Sequence, residues 1–316
     1  TRRGTLLIGT SDIKEVTLDG KVVRQFNWPD KSVKRVHLFK PVELANGNWA
    51  STIGYRPEYV EVTPPPLPGE AAKPAAGKIV KRNGFVDKLP KGKTNFYCDW
   101  QRLANGNLIA NNWTGHKRQD SKNGPQLLEF DAAGKVVWTW DNPKFNGSLH
   151  TVIVIDGLDT SKIHSDALTG AHIPIDGSEF AEFKGGTDVA GAPATPAAAP
   201  AAKPTKATPS SATIQHEFIA SDESGHQIIY VNEKTGKRWA KPMPRLSRDL
   251  QLIGDGKVMH TMLTGFREFK IADGTMTREV IIPGAKNIFT CYRFVDGRTM
   301  LIERTSGKGY FVDKAD

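Results

Sequence analysis

Two kinds of glycine-centred turn alternate along this chain, and that alternation restricts the fold more than any other feature. The first kind joins two strand-like runs through an Asp/Asn-bearing turn, in residues 15–23 (EVTLDGKVV), 128–138 (LEFDAAGKVVW), 231–239 (VNEKTGKRW) and 269–280 (FKIADGTMTREV). A degraded copy with a Pro/Ala insertion spans residues 60–80. The second kind reads 42–49 (VELANGNW), 101–109 (QRLANGNLI), 152–159 (VIVIDGLD), 251–258 (QLIGDGKV) and 293–301 (RFVDGRTML). Asn-Gly and Asp-Gly between β-branched runs are strong hairpin signals because these residues accept a positive φ. The turn glycines of the first set (Gly20, Gly77, Gly134, Gly236, Gly274) interleave with those of the second (Gly47, Gly106, Gly157, Gly256, Gly297).

Two hairpins per repeat make a four-stranded unit, and such units set around an axis are β-propeller blades. The expected fold is therefore an all-β propeller. One spacing is anomalous: Gly134 to Gly236 is 102 residues, against 57, 57 and 38 elsewhere. Residues 186–212, rich in Ala, Pro, Ser and Thr, account for it and read as a flexible linker between residues 1–185 and 213–316 of one propeller. The remaining 289 residues fill six blades at about 48 each or seven at about 41. Five blades are plain, six is the expected number, and five to seven is the range. Residues 309–313 (GYFVD) and 4–9 (GTLLIG) are expected to share a blade, closing the ring with strands from both ends. A sandwich of repeated hairpins is the rival, but it needs fewer turns.

Lysine and arginine exceed aspartate and glutamate by 43 to 34, so the chain is basic, yet no basic cluster is interleaved with aromatics and nucleic acid is not an expected partner. No apolar run approaches the ~18–20 residues of a membrane-spanning helix. Two cysteines, Cys98 and Cys291, exclude a disulfide scaffold and a cysteine-rich metal centre, and they read as isolated buried thiols, with a single disulfide between them as the lesser alternative. No phosphate loop, nucleophile elbow, Cys-x-x-Cys or EF-hand loop occurs, and the eight histidines match no zinc spacing. No metal is therefore assigned.

The phrases LANGNLI and LEFDAAGKVVW within residues 99–155 resemble exported bacterial β-propellers described as PQQ-like or quinoprotein-like. The resemblance implies a propeller in the periplasm or outside the cell, whose leader is absent from a sequence that opens at Thr1. It implies no cofactor, because an adjacent Cys-Cys pair and a tryptophan docking motif in every blade are missing. In that family, segments like 218–237 stand near the start and segments like 152–163 near the end. The reversed order here suggests a circular permutation across the Ala/Pro stretch, with a natural order and a long insertion as the alternative.

Seven residues before the second-kind glycines stand Lys40, Asp99, His150, Asp249 and Thr290, all polar, whereas three before them stand Leu44, Leu103, Val154, Ile253 and Phe294. One polar group per inner strand would ring the channel mouth. That ring reads either as a ligand or cation site, with Asp99, Asp249 and His150 as donors, or as side chains capping backbone amides. His116, in the polar loop 111–124 beside Trp113, would add a titratable group and an aromatic platform. His37 and His150 both begin inner strands, and with His116 and Tyr97 they would suit proton abstraction in a polysaccharide-lyase-like enzyme. Trp138, Trp140 and Trp239 follow first-kind turns and are expected to pack between blades.

The leading expectation is a binding or scaffold module that takes a glycan or protein partner on one propeller face. A lyase-like or transferase-like enzyme and a piece of a quinoprotein-like redox protein are the alternatives.

Overall fold

The structure is a computed structural model that describes residues 1, 3–29, 36–44, 46–71, 76–83, 89, 92–164, 213–294 and 296–314. The linker assigned to residues 186–212 lies outside the described residues, as do 165–185.

Alternating β-branched runs and glycine turns fold into six antiparallel sheets set in a ring, in chain order. Blade 1 contains β1 (Leu6–Gly9), β2 (Ile13–Val16) and β3 (Val22–Phe26). Blade 2 contains β4 (Leu38–Glu43), β5 (Trp49–Ile53), β6 (Glu58–Val62) and β7 (Ile79–Asn83). Blade 3 contains β8 (Tyr97–Arg102), β9 (Leu108–Asn112), β10 (Leu127–Phe130) and β11 (Val136–Trp140). Blade 4 contains β12 (Leu149–Val154), β13 (Glu217–Asp222), β14 (Gln227–Asn232) and β15 (Arg238–Pro242). Blade 5 contains β16 (Leu250–Gly254), β17 (Lys257–Met262), β18 (Gly265–Lys270) and β19 (Met276–Ile281). Blade 6 contains β20 (Ile288–Arg293), β21 (Thr299–Glu303) and β22 (Gly309–Val312). The turn glycines Gly47 and Gly106 have φ of 80° and 86°, a conformation that a side chain would strain.

Two expectations are corrected. The chain ends do not share a sheet: β1 pairs with β2 and β22 pairs with β21, so that among the described residues each end lies in a three-stranded sheet of its own. The glycine phase explains this, because Gly20 lies between β2 and β3 while Gly297 lies between β20 and β21. Blade 1 thus shows its outer three strands and blade 6 its inner three. Gly157 also does not join two strands of a hairpin. The partner of β12 is β13, Val154 facing Phe218, so the second strand of blade 4 comes after the long insertion.

Between successive blades, side chains from facing sheets fill the gap. Trp49 and Phe26 seal blades 1 and 2, Trp100 and Tyr59 blades 2 and 3, and Trp138 and Trp140 blades 3 and 4. Trp239 packs among the residues between blades 4 and 5, stacking on Tyr230 at 5.7 Å and donating to the Ile271 carbonyl at 2.9 Å. Blades 5 and 6 meet through Phe266, Ile288 and Leu301. Among the described residues no such cluster lies between blades 6 and 1, where Ile8 and Phe311 are 37% and 54% exposed.

Polar side chains stitch the inner strands together. Asp99 Oδ2 accepts from the Val152 amide at 2.8 Å, and Gln101 both accepts from and donates to Val154, each at 2.8 Å. The same Asp-x-Gln spacing recurs two blades on, where Asp249 accepts from the Cys291 amide at 3.1 Å and Gln251 from the Arg293 amide at 2.6 Å. Each clamp satisfies inner-strand backbone groups that would otherwise be buried without partners.

A charged pin joins blades 3 and 4 at the opposite end of the inner strands. His216 lies between Asp156 (2.6 Å) and Glu129 (3.0 Å), edge-on to Trp138, and Lys234 reaches Asp156 at 2.8 Å. Burial disfavours the imidazolium, but hydrogen bonds and charge from both carboxylates outweigh it and raise its pKa to about 9. A raised native pKa gives stability that is complete below the unfolded value of about 6.5 and is lost as pH rises through 9. Urea denaturation from pH 6 to pH 10 is expected to show wild type losing about 1–2 kcal/mol relative to His216→Gln across that window. Parallel curves for the two proteins would remove the charged pin from the account.

Candidate functional site

The inner strands start at the end of the ring opposite the second-kind turns, and a β-bulge marks several of these starts. In β8 the register steps from Tyr97 to Asp99, in β12 from Leu149 to Thr151, and in β20 from Ile288 to Thr290. The residues left out of the ladder are Cys98, His150 and Phe289; in β4 the step from Phe39 to Val42 leaves out Lys40 and Pro41. A bulge re-aims side chains that a regular strand would send into a neighbouring blade. Asp249 makes the same backbone bonds as Asp99, so Arg248, one residue before it, occupies the place of Cys98.

These side chains and the ends of the second strands form a closed circuit around the mouth. Phe39 meets Phe96 at 5.2 Å, and Phe96 meets Trp113 at 5.5 Å. Trp113 Nε1 donates to Glu223 Oε2 at 2.6 Å, and Glu223 Oε1 accepts from Arg248 Nε at 3.0 Å and also from its Nη2. The Arg248 guanidinium lies 5.3 Å from the Phe289 ring, Phe289 lies edge-on to His150 at 6.2 Å, and His150 lies 6.3 Å from Phe39. Five blades contribute to this loop of contacts.

Local structure holds each member. Asn112 accepts from the Asn95 and Phe96 amides, placing the Phe96 ring against Gly54, where a Cβ would come within 2.4 Å of it. The loop after β9 contains a short 3₁₀ helix, Arg118–Asn123, and is tied down by Thr114 to Ser148 at 2.8 Å and by Gln126 Oε1 to the Leu149 amide at 3.0 Å. His116 projects from this loop with its side chain 69% exposed, 4.5 Å from the Trp113 ring and 3.6 Å from Glu223. His37 and Tyr55 extend the aromatic surface over blade 2, 5.4 Å apart, and Tyr55 is 4.8 Å from Phe96.

Burial and the positive charge of Arg248 pull the pKa of His150 down to about 3, leaving a neutral imidazole at pH 7. Burial opposes ionisation of Glu223, yet the charge and hydrogen bond of Arg248 hold it below the ordinary carboxylate range. The site therefore combines a buried Arg–Glu pair, a neutral histidine that can donate and accept, an exposed histidine and several aromatic rings. Such a pair is costly to desolvate, and here the cost is offset by the bonds from Trp113 Nε1 and from two nitrogens of Arg248.

Of the ring expected from the spacing, His150 joins the circuit. Asp99 is buried and accepts from Trp100 and Val152, with Lys40 Nζ at 2.9 Å; burial pushes its carboxyl up against the pull of that ammonium. Asp249 accepts from the Thr290 hydroxyl and the Cys291 amide. Lys40, Asp99, Asp249 and Thr290 are thus engaged in bonds between blades. The expected convergence of Tyr97 with the histidines does not occur, because its ring is wholly buried between blades 2 and 3, 6.4 Å from Phe130, where burial raises its hydroxyl pKa. Glu223, Arg248, Phe289, Phe39 and Phe96 are the members that spacing did not single out. Among the described residues, no group of three or more His, Cys, Asp or Glu side chains is arranged to hold a metal ion. A shallow recess of about 450 Å³ lined by Lys241, Arg267 and Met276 lies on the outer strands, away from the mouth.

No family model and no curated protein matches this chain. Among solved structures, a streptogramin B lyase aligns over 97% of this chain and 77% of its own, with 10% identity and a TM-score of 0.51. A catalytically inactive virginiamycin B lyase from Staphylococcus aureus, in complex with quinupristin, aligns over 96% of this chain and 78% of its own, with 11% identity and a TM-score of 0.50. A protein of unknown function from Bacteroides caccae aligns over 45% of this chain and less than half (46%) of its own, with 25% identity and a TM-score of 0.34. The likeness to the lyases is one of fold. Among the described residues no helix is long and apolar enough to cross a membrane.

Long-range nitrogen-detected NMR is expected to show His150 staying neutral down to about pH 4, and Arg248→Met moving its titration upward by about one unit or more. A His150 that titrates near 6.5 in wild type would contradict the buried site.

Proposed function

We propose that this chain is an exported bacterial binding module that takes a glycan at the aromatic mouth of the propeller. One observation carries the reading: aromatic, cationic and anionic side chains from five blades meet in a single closed circuit. A sugar ring presents apolar C–H faces and a rim of hydroxyls. The mouth offers the matching pair, with Phe39 and Trp113 as ring surfaces and Arg248, His116 and neutral His150 as hydrogen-bonding groups beside them.

Export to the bacterial envelope rests on the repeat phrases that resemble PQQ-like propellers. A lyase reading draws less support. Tyr97 is withdrawn into the core, and a histidine whose pKa is about 3 is a weak base for carbon acids. The buried mouth of a scaffold would need apolar plugging, whereas this one holds an ion pair.

Isothermal titration of the full chain with neutral xylan- and cellulose-derived oligosaccharides and with oligogalacturonate tests the proposal. Binding of at least one glycan, weakened about tenfold or more by Trp113→Ala, is the expected outcome. Failure of every glycan to bind, or affinity unchanged by Trp113→Ala, would overturn it in favour of a protein partner or another site.

A further inference from the structure

We infer that the blade 6 side of the mouth is an anion subsite, in which Arg304 and Arg248 over the Phe289 ring receive the carboxylate of an acidic sugar. The inference rests on the glycan-binding reading and specifies which glycans that site would take.

Both guanidinium groups lie over the same aromatic ring, Arg248 at 5.3 Å and Arg304 at 5.4 Å from its centroid. They differ in what else they hold. Arg248 is buried and bonds Glu223 through Nε and Nη2, which leaves Nη1 turned from that carboxylate. Arg304 is exposed, and among the described residues no carboxylate forms an ion pair with it. Its neighbour Glu303 is committed elsewhere, accepting from the Lys286 amide, from Ser306 and from Tyr310 Oη at 3.1 Å. The base of Arg304 is fixed, since its amide donates to the Asn287 carbonyl at 3.1 Å while Asn287 Nδ2 donates to Thr305 at 3.0 Å.

Arg248 and Glu223 cancel, and among the described residues no carboxylate compensates the charge of Arg304, which stands over the Phe289 ring. Both guanidinium charges lie close enough to His150 to help depress its pKa, behind the larger effect of burial. A planar guanidinium held against a ring presents its N–H edge outward, the geometry that receives a carboxylate or a sulfate ester. A neutral His150 and the Trp113 platform then flank the sugar that bears the acid.

The test titrates the full chain with oligogalacturonate, with its methyl ester, and with inorganic sulfate alone. The acid is expected to bind about tenfold more tightly than the ester. Arg304→Gln is expected to abolish that difference with the melting temperature unchanged, and Lys241→Gln on the outer rim is expected to leave the affinities for acid and ester as they are in wild type. Equal binding of acid and ester, with Trp113→Ala still weakening both, would overturn the subsite and leave the glycan site standing. Sulfate alone binding as tightly as oligogalacturonate would overturn the acidic sugar as its occupant. Failure of acid and ester alike, with neutral oligosaccharides also inert, is the separate failure of the glycan reading.

Discussion

The structure depends on how a blade grips the next one without sharing a sheet with it. Sheet hydrogen bonds end at the innermost strand, whose inward backbone groups face the channel and the neighbouring blade rather than a partner strand. In blades 3 and 5 an Asp-x-Gln triplet supplies the missing partners: Asp99 and Gln101 hold Val152 and Val154, and Asp249 and Gln251 hold Cys291 and Arg293. Apolar burial between blades is non-directional, whereas a hydrogen bond to a buried amide fixes both distance and angle. The clamps therefore set the angular position of blades 4 and 6.

The mouth follows from that setting. The clamped strands, β12 and β20, are bulged immediately before the residues that the clamps grip, and the bulges carry His150 and Phe289. Holding Val152 and Cys291 in place thus fixes two side chains that face each other at 6.2 Å. Blades 3 and 5, the ones that supply the clamps, contribute Trp113 and Arg248 to the same circuit, joined through Glu223. A site whose supports are bonds between inner strands is preorganised, and binding there loses little to reordering.

The sequence made the fold legible because its turns need glycine: positive φ at Gly20, Gly47, Gly106 and Gly134 leaves a mark that no side chain replaces without strain. The alternation marked five blades, and the expected sixth came from the residue count and from a shared terminal blade that the pairing does not form. The pairing of the chain ends was not legible, since GTLLIG and GYFVD are each compatible with any inner or outer position, and local pairing with β2 and β21 decided it. The candidate site was legible in part. Trp113 and His116 stand out as a Trp-His pair in a polar loop. His150 was found through a count from Gly157, although the register equates Thr151, not His150, with Asp99. The count slips because Gly157 opens the long insertion and not a tight hairpin. Glu223, Arg248 and Phe289 carry no local pattern, and only the ring closure brings residues 113, 223, 248 and 289 together. The Asp-x-Gln repeat was visible in the chain, and its meaning required knowing which amides of the next blade lay opposite.

The claim that polar clamps fix the ring is tested most directly by urea unfolding of Gln101→Ala and Asp99→Ala at pH 7. Losing Gln101 strands the Val154 amide and carbonyl, with an expected cost of about 1–3 kcal/mol. Losing Asp99 also leaves Lys40 Nζ half-buried without its carboxylate, and the expected cost rises to about 3–5 kcal/mol. Losses below about 0.5 kcal/mol for both variants, the level of ordinary surface substitutions, would contradict the account and leave the blades held by apolar packing alone.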